Sequence, residues 1–158
     1  MKYIRLIAIT LAWLVSFQCD ACFILFATDG TRVLVSNHED WTATDGAVRI
    51  IPPANNSYGS VIFTFLSEGW AQGGMNEKGL FFDAAMTPHQ DIDFASDLIR
   101  SNKYIWQVIL DKAATVDEAL AMLAPYALPE LTEASVMLAD ATGKAVILSS
   151  HNHKVDII

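Results

Sequence analysis

Two cysteines three positions apart, Cys19 and Cys22, are the residues of this chain best suited to nucleophilic or redox chemistry. They lie in the stretch FQCDACFILF, between an apolar leader and the first strand-like run. A thiolate is a strong nucleophile, and two cysteines spaced C-x-x-C can form a redox-active disulfide. Which chemistry applies depends on whether both cysteines remain in the mature chain.

The leader has the features of a secretory signal peptide. Lys2 and Arg5 precede the uncharged run LIAITLAWLVSF, which is shorter than the about 20 apolar residues needed to span a bilayer. A basic start, a short apolar core and a small residue at its end are typical of signal peptides. We therefore predict a signal peptide over residues 1–21, cleavage after Ala21, export of the mature chain and no stable membrane anchor.

Cleavage at this point would leave Cys22 as the first residue and remove Cys19. The freed α-amine, with an ordinary pKa near 8, could then take the proton of the neighbouring thiol, and the thiolate could attack an acyl carbon. Two alternatives remain open. An uncut leader would keep Cys19 and Cys22 as a redox pair close to the membrane, and Cys22 could also be a buried small hydrophobic residue.

Composition limits the classes of partner. The 158-residue chain has a net charge of −8, and 53% of its residues are hydrophobic. An acidic chain is a poor ligand for nucleic acid or for an anionic membrane surface. The length and the hydrophobic fraction predict one ordered domain, over residues 22–158, with a real core.

The pattern of the domain is strands first, helices later and strands again. Asp29-Gly30 separates two apolar runs and indicates a β-hairpin, and YGSVIFTFLSEG reads as a strand. GGMNEKGLFFDAAM reads as a glycine-bracketed turn that leads into another strand, and ASVMLAD and KAVILSS flank ATG as a second hairpin. The predicted fold class is α+β with mostly antiparallel sheet.

Two helices are predicted between these groups of strands. Ile105, Val108 and Ile109 have the i, i+3, i+4 spacing of an apolar helix face, with Lys112 at its margin. TVDE, from Thr115 to Glu118, is a capping box that opens the second helix.

A cysteine nucleophile of this kind needs a group that holds the amine and donors for the oxyanion. Asp40, after the second strand, is the candidate for the first role, and Asn76 is the candidate for the second. Gly73 and Gly74 would let a ligand approach the backbone. In the alternative reading Asp40 caps a turn and Asn76 is a turn residue. Glu39 and Glu77 are predicted to be solvated or structural.

At these residues the sequence resembles a known family. The chain resembles the choloylglycine hydrolase and penicillin V acylase family of linear amide C–N hydrolases. Three features carry the resemblance: exposure of Cys22 by cleavage, SNHEDW at the end of the second strand, and QGGMNEKGLFFD. TVDEALAML and LADATGKAVIL extend the resemblance over nearly all of residues 22–150. The N-x-E-D-W form resembles a less characterised branch of the family. The resemblance implies the αββα sandwich of N-terminal-nucleophile hydrolases.

The resemblance also implies roles for single residues. Cys22 matches the nucleophile, with its freed amine as base; Asp40 matches the aspartate that contacts this amine, and Asn76 matches an oxyanion asparagine. Asn37 stands where the family often has arginine, so a polar contact to the nucleophile or substrate is expected to differ. Together with Asn37, two neighbours in these motifs are expected to contact the substrate: Trp41 and Gly74.

Family members are about twice as long as this chain, so the resemblance predicts an incomplete sandwich that exposes an apolar sheet face and an unpaired edge. The implied function is an exported cysteine amidohydrolase acting on a small-molecule, non-peptide linear amide, without a cofactor. The alternative is a catalytically inactive, truncated half-domain that serves as an interaction module. A missing C-terminal half or a homo-oligomer would be the partner that completes the fold.

Other chemistry-bearing side chains have simpler explanations. His151 and His153 share one face if HNH is a strand, but no acidic or cysteine partner stands at a recognisable metal-ligand spacing. We therefore predict no metal site and place HNH at the tip of a tail. Aromatic residues on the strands could line an acyl pocket but are more often core residues; they are Trp41, Phe63, Phe65, Trp70, Phe81 and Phe82.

Overall fold

The computed structural model describes residues 22–158. The predicted signal peptide, its cleavage site and Cys19 lie outside these residues. Nine strands and two α-helices form the described part of the chain: β1 Phe23–Thr28, β2 Val33–His38, β3 Gly46–Ile51, β4 Ser60–Phe65, β5 Ala71–Asn76, β6 Phe81–Met86, α1 Ile105–Lys112, α2 Val116–Leu123, β7 Ala134–Ala139, β8 Ala145–His151 and β9 Lys154–Ile157. A short 3₁₀ helix, Pro129–Thr132, precedes β7.

The strands form two sheets, and all their pairings are antiparallel. Strands β1 and β2 form a separate hairpin, and β3 to β9 form a seven-stranded sheet in the order of the chain. Each strand of the large sheet therefore pairs with its neighbour in sequence. The connection from β6 to β7 is long and contains both helices. The predicted α+β class with mostly antiparallel sheet is confirmed.

The hydrophobic core lies between the helices and one face of the seven-stranded sheet. Strand residues that point to the helices alternate with residues that point away, as the two-residue repeat of a strand requires. The core includes Ile62, Phe82, Leu138 and Leu148 from the sheet and Trp106 from α1. Trp106 stacks on Phe82 with ring centroids 6.1 Å apart. This packing fixes the position of α1 on the sheet.

The helices follow the predicted pattern with one shift. In α1 the buried stripe is made of four residues, Ile105, Trp106, Ile109 and Leu110, whereas Val108 is only half-buried against the core. The apolar face is thus rotated toward Trp106, because this ring packs on Phe82. Helix α2 begins with the predicted capping box, since Thr115 accepts a hydrogen bond from the Glu118 N–H.

The second face of the large sheet is only partly covered. The β1–β2 hairpin lies over it and contacts β6. Beyond the hairpin, large apolar side chains of this face are more than a third exposed: Val48 61%, Ile50 76%, Val61 39%, Phe63 37%, Met75 37% and Ile147 37%. The sequence-based expectation of an exposed apolar sheet face holds in this structure.

Two local predictions differ from the structure, and one strand was missed. Gly73 and Gly74 lie inside strand β5, so the turn is formed by Glu77 to Gly79. The HNH segment is not a tail tip, because Asn152 and His153 form a tight turn at positive φ that leads into β9. Strand β3 was not predicted, because apolar and polar residues do not alternate clearly in its sequence, GAVRII.

Candidate functional site

The β1–β2 hairpin places the predicted nucleophile beside the end of the second strand. Its register pairs Phe23 with His38, so Cys22, one residue earlier, lies next to Glu39, one residue later. The turn at Asp29-Gly30, where Gly30 has φ +82°, fixes this register from the other end. The local sequence of the hairpin is therefore what brings residue 22 to the N-x-E-D-W motif.

A chain of hydrogen bonds joins Cys22 to Glu39 and Asn37. The Cys22 thiol donates to Glu39 Oε2 with an Sγ to oxygen distance of 3.4 Å. The Asn37 side-chain amide donates to the other carboxylate oxygen, Oε1, at 2.9 Å. Glu39 is half-buried and is held between the two groups. The prediction that Glu39 is merely solvated or structural did not foresee its contact with the thiol.

The surroundings of Cys22 favour the neutral thiol in this arrangement. Burial raises the pKa of Cys22 above its ordinary value, and the hydrogen bond from the thiol to Glu39 and the charges of Glu39 and Asp40 raise it further. The backbone N–H of Asp40 donates to the sulfur and lowers the pKa, although the net shift is upward. A separate base is therefore needed to form the thiolate.

Cys22 opens onto a cavity of about 350 Å³. Trp41, Trp70, Tyr104 and Trp106 provide aromatic walls, and Gln72 provides an amide. The remaining lining side chains come from the strands and from the loops that follow them: Glu39, Glu68, Ala84, Met86, Glu130, Glu133, Ala134 and Val136. Of the predicted aromatic residues, Trp41 and Trp70 thus face the Cys22 cavity, whereas Phe82 belongs to the core.

Hydrogen bonds hold the walls of this cavity in place. Trp41 Nε1 donates to Glu68 Oε1 at 2.9 Å, and Gln72 Nε2 donates to Glu68 Oε2 at 2.6 Å. The Tyr104 hydroxyl donates to the Ala71 carbonyl at 2.6 Å. Residues that line the cavity include four glutamates and no lysine or arginine. The site is consequently aromatic in shape and negative in charge.

Asn76 does not lie in the Cys22 cavity. Its side-chain amide donates to the carbonyls of Leu110 and Ala113, at 2.8 and 2.7 Å. Its side-chain oxygen accepts from the N–H groups of Lys78 and Leu80. Both amide hydrogens are thus engaged with the C-terminal end of α1, and the side chain has none left for an oxyanion.

The two predicted glycines serve strand packing in this structure. A Cβ atom on Gly74 would be 2.7 Å from the Val61 carbonyl oxygen, and one on Gly73 would be 2.5 Å from Asp83 Oδ2. Neither glycine lines the Cys22 cavity. Of the three predicted substrate contacts, Trp41 lines the Cys22 cavity, and Asn37 is connected to Cys22 through Glu39. Gly74 does neither.

Asp83 is a further residue of interest that the sequence did not reveal. It is fully buried and its pKa is raised to about 7, because burial disfavours the charged form and the charge of Glu39 adds to this effect. Its position in FFDAAM gives no signal, since a single carboxylate in a strand looks like an outward-facing residue. Only the register that places Asp83 opposite Gly73 shows that it is buried.

Metal and membrane features can be checked over residues 22–158. Within this range no group of three or more histidine, cysteine, aspartate or glutamate side chains could hold a metal ion. His151 and His153 lie at the exposed β8–β9 turn. No helix in the same range combines the length and the apolar character needed to cross a bilayer.

Comparison with known proteins finds similarity in structure. No family model matches the chain, and no curated protein matches it. Penicillin V acylase from Agrobacterium tumefaciens superposes with a TM-score of 0.65 and 23% identity, over 87% of this chain and 49% of that chain. Two mutant structures of conjugated bile acid hydrolase from Clostridium perfringens give TM-scores of 0.64 and 0.56 with 18% identity, each over 87% of this chain and 50% of that chain.

These matches confirm the predicted resemblance at the level of the fold. The chain has the fold of about half of penicillin V acylase and of conjugated bile acid hydrolase. It spans about half the length of these solved structures.

Proposed function

We propose that this chain carries the nucleophile of an exported cysteine amidohydrolase that cleaves a linear, non-peptide amide C–N bond. The observation that carries the proposal is the position of Cys22 at the start of β1, where it opens onto a cavity in a fold shared with two amide hydrolases. Export and cleavage after Ala21 are part of the proposal, because they would free the Cys22 amine. No cofactor is required by this chemistry.

The proposed reaction proceeds through a thioester. The freed Cys22 amine accepts the thiol proton, and the thiolate attacks the amide carbon. The C–N bond breaks, the leaving amine takes the proton, and water then releases the acid from Cys22. The Asp40 N–H, which already donates to the sulfur, would stabilise the thiolate. Asp40 is proposed to hold the amine; Asn76 is not assigned a role in the reaction.

The cavity suggests the chemical class of the substrate. Its aromatic walls, which include Trp41 and Trp70, suit an apolar or aromatic acyl group. The four glutamates of the lining would repel a carboxylate on the substrate. We therefore expect neutral or cationic amides to be cleaved in preference to acidic ones of the same acyl chain.

The test compares four forms of the protein on chromogenic amides. A chain that starts at Cys22 is expected to release the amine and to gain the mass of the acyl group on Cys22. Cys22→Ser and Cys22→Ala should lower kcat/KM by at least about 10³-fold, as loss of a nucleophile does in other hydrolases. The matched control is a chain that retains Ala21, because it keeps the thiol but blocks the amine. Full activity of Cys22→Ala would overturn the proposal.

One observation favours a second candidate, the catalytically inactive half-domain. The apolar sheet face that includes Ile50 and Val61 is exposed, which suits a surface that binds another polypeptide. If a chain that starts at Cys22 hydrolyses none of the amides alone but gains activity with a complementary half of the fold, the first proposal stands for the assembled protein. Binding without any activity would favour the second candidate.

A further inference from the structure

A buried carboxyl group lies beneath the Cys22 network. Asp83, on β6, is 0% exposed and pairs in register with Gly73 on β5. The close approach of Oδ2 to Gly73 shows that the carboxyl lies over the glycine, where any side chain would displace it. Asp83 Oδ1 accepts from the Ala84 N–H at 2.8 Å, whereas Oδ2 has no hydrogen-bond partner.

An unpartnered carboxylate oxygen in a protein interior is costly, and the usual response is to bind a proton. The raised pKa of Asp83, about 7, agrees with this geometry. Burial is its largest cause and the charge of Glu39 is the second, while the Ala84 N–H and the Asn37 amide act in the opposite direction. Asp83 therefore changes charge within the range in which an exported enzyme would work.

Asn37 is the link between Asp83 and the nucleophile. Its amide donates to Glu39 Oε1 and also lowers the pKa of Asp83, so it faces both carboxyl groups. Glu39 in turn accepts the hydrogen bond of the Cys22 thiol. The Asn37 amide and the Glu39 carboxylate thus lie between Asp83 and the Cys22 thiol.

We propose that Asp83, Asn37 and Glu39 are positioning residues for Cys22, and that the proton on the buried Asp83 carboxyl controls how readily the thiol ionises. While Asp83 is neutral, the Asn37 amide lies near one charged carboxylate, that of Glu39. When Asp83 loses its proton, a second negative charge lies beneath the same amide. This charge disfavours formation of the thiolate.

Besides Glu39, Tyr104, which precedes α1, interacts electrostatically with Asp83. Burial raises the pKa of Tyr104 well above its ordinary value, with the charges of Glu130 and Asp83 adding to the shift. Tyr104 is thus neutral near pH 7, and Asp83 is the group that changes.

The experiment measures alkylation of Cys22 by iodoacetamide, a neutral reagent, as a function of pH. It uses the full chain with Cys19→Ser, so that Cys22 is the remaining cysteine and its nitrogen stays in a peptide bond. If no neighbouring group titrates, the alkylation rate of a thiol rises about tenfold per pH unit below the pKa of the thiol. For Cys22 we expect the alkylation rate to rise by less than tenfold per pH unit around pH 7, where Asp83 ionises.

Asp83→Asn keeps the shape of the side chain and removes the titration. In this variant the alkylation rate of Cys22 should rise about tenfold per pH unit across the whole range below the pKa of the thiol. Above pH 8 the rate should exceed that of the parent protein roughly threefold. Glu39→Gln removes the charge that raises the pKa of Asp83, so the smaller rise should move to lower pH. Glu77→Gln is the matched control, because Glu77 is an exposed carboxylate that does not line the Cys22 cavity. Its profile should be unchanged.

The inference is overturned if Asp83→Asn is folded by near-ultraviolet circular dichroism and its profile coincides with that of the parent. If Asp83→Asn does not fold, the partly exposed Glu39 provides the test, and an unshifted profile in Glu39→Gln overturns the inference. The inference rests on the proposed function only in giving the coupling a role in catalysis. Because alkylation needs neither the freed amine nor a substrate, its outcome is independent of whether the amidase proposal fails.

Discussion

At the scale of single residues, Asn76 shows how one side chain can join two elements. It ends β5, and its four hydrogen bonds tie the β5–β6 turn to the carbonyls of Leu110 and Ala113 at the end of α1. It is 4% exposed, and its partners Leu80, Leu110 and Ala113 are fully buried, so these three cannot turn to water instead. The side chain is therefore a structural connector in this fold.

Replacement of Asn76 tests this role against the predicted oxyanion role. Asn76→Ala should lower the free energy of unfolding by roughly 3 kcal/mol, because buried carbonyls and N–H groups lose their partners. Urea denaturation measures this change, and the alkylation rate of Cys22 should not change. Asn102→Ala, at an exposed asparagine, is the control. A stable Asn76→Ala protein that loses only amidase activity would support the oxyanion role.

At the scale of elements, the start of α2 is held by three side chains. Thr115 accepts from the Glu118 N–H at 3.2 Å, and Glu118 Oε2 accepts from the Ala114 N–H at 2.7 Å. Asp140, from the β7–β8 turn, accepts from the Val116 N–H at 2.8 Å. The last bond attaches the helix to the sheet, so the cap is partly local and partly tertiary.

Asp140 gives this attachment a dependence on pH. Burial would raise the pKa of Asp140, but hydrogen bonds from Thr142, Val116 and Lys144 outweigh it and hold the pKa below its ordinary value. The stabilisation is therefore complete above the unfolded-state pKa of about 4 and is lost as pH falls through the lower folded-state value.

Asp140→Asn tests the attachment. We expect a loss of roughly 2 kcal/mol in the free energy of unfolding at pH 7, because hydrogen bonds to a charged acceptor are replaced. The difference from the parent should shrink at acid pH, as measured by urea denaturation from pH 3 to pH 7. Asp117→Asn, an exposed residue paired with Lys144, should cost less than about 1 kcal/mol. A constant difference at every pH would contradict the argument.

At the scale of the whole molecule, the sheet is covered on one face and partly open on the other. The hairpin covers the part of the open face near β6, and a cavity of about 730 Å³ lies between the hairpin and β3 to β6. Ile50 and Val61 line this cavity and remain exposed. Removing apolar surface of this kind from water lowers the free energy, so binding of another polypeptide to it is favourable.

We therefore expect the isolated chain to associate with itself. Light scattering after gel filtration should give a mass above the 17.3 kDa of one chain at micromolar concentrations. Ile50→Glu, on the edge strand β3 of the open face, should shift the mass toward one chain. Ile99→Glu, at an exposed isoleucine outside the sheet, is the control and should not. A single-chain mass for the parent at all concentrations would show that the open face is not an interface.

Features that the sequence determined by itself are local in the chain. Asp29-Gly30 and the flanking apolar runs predicted the first hairpin, because glycine takes the positive φ of its turn. The Thr115 to Glu118 spacing predicted the start of α2, because a capping box needs only four consecutive residues. The motifs SNHEDW and QGGMNEKGLFFD predicted the fold, and solved structures with that fold superpose on this chain.

Tertiary structure decided the contacts that depend on register and packing. Asn76 bonds to carbonyls 34 and 37 residues away, so the sequence could suggest an oxyanion donor but not find these partners. Glu39 meets Cys22 across the hairpin, and Asp83 is buried because β6 pairs with β5 at Gly73. Such contacts join distant residues, and a one-residue change of register would remove them. The sequence therefore pointed to Cys22 as the proposed nucleophile, and the fold determined which groups contact it.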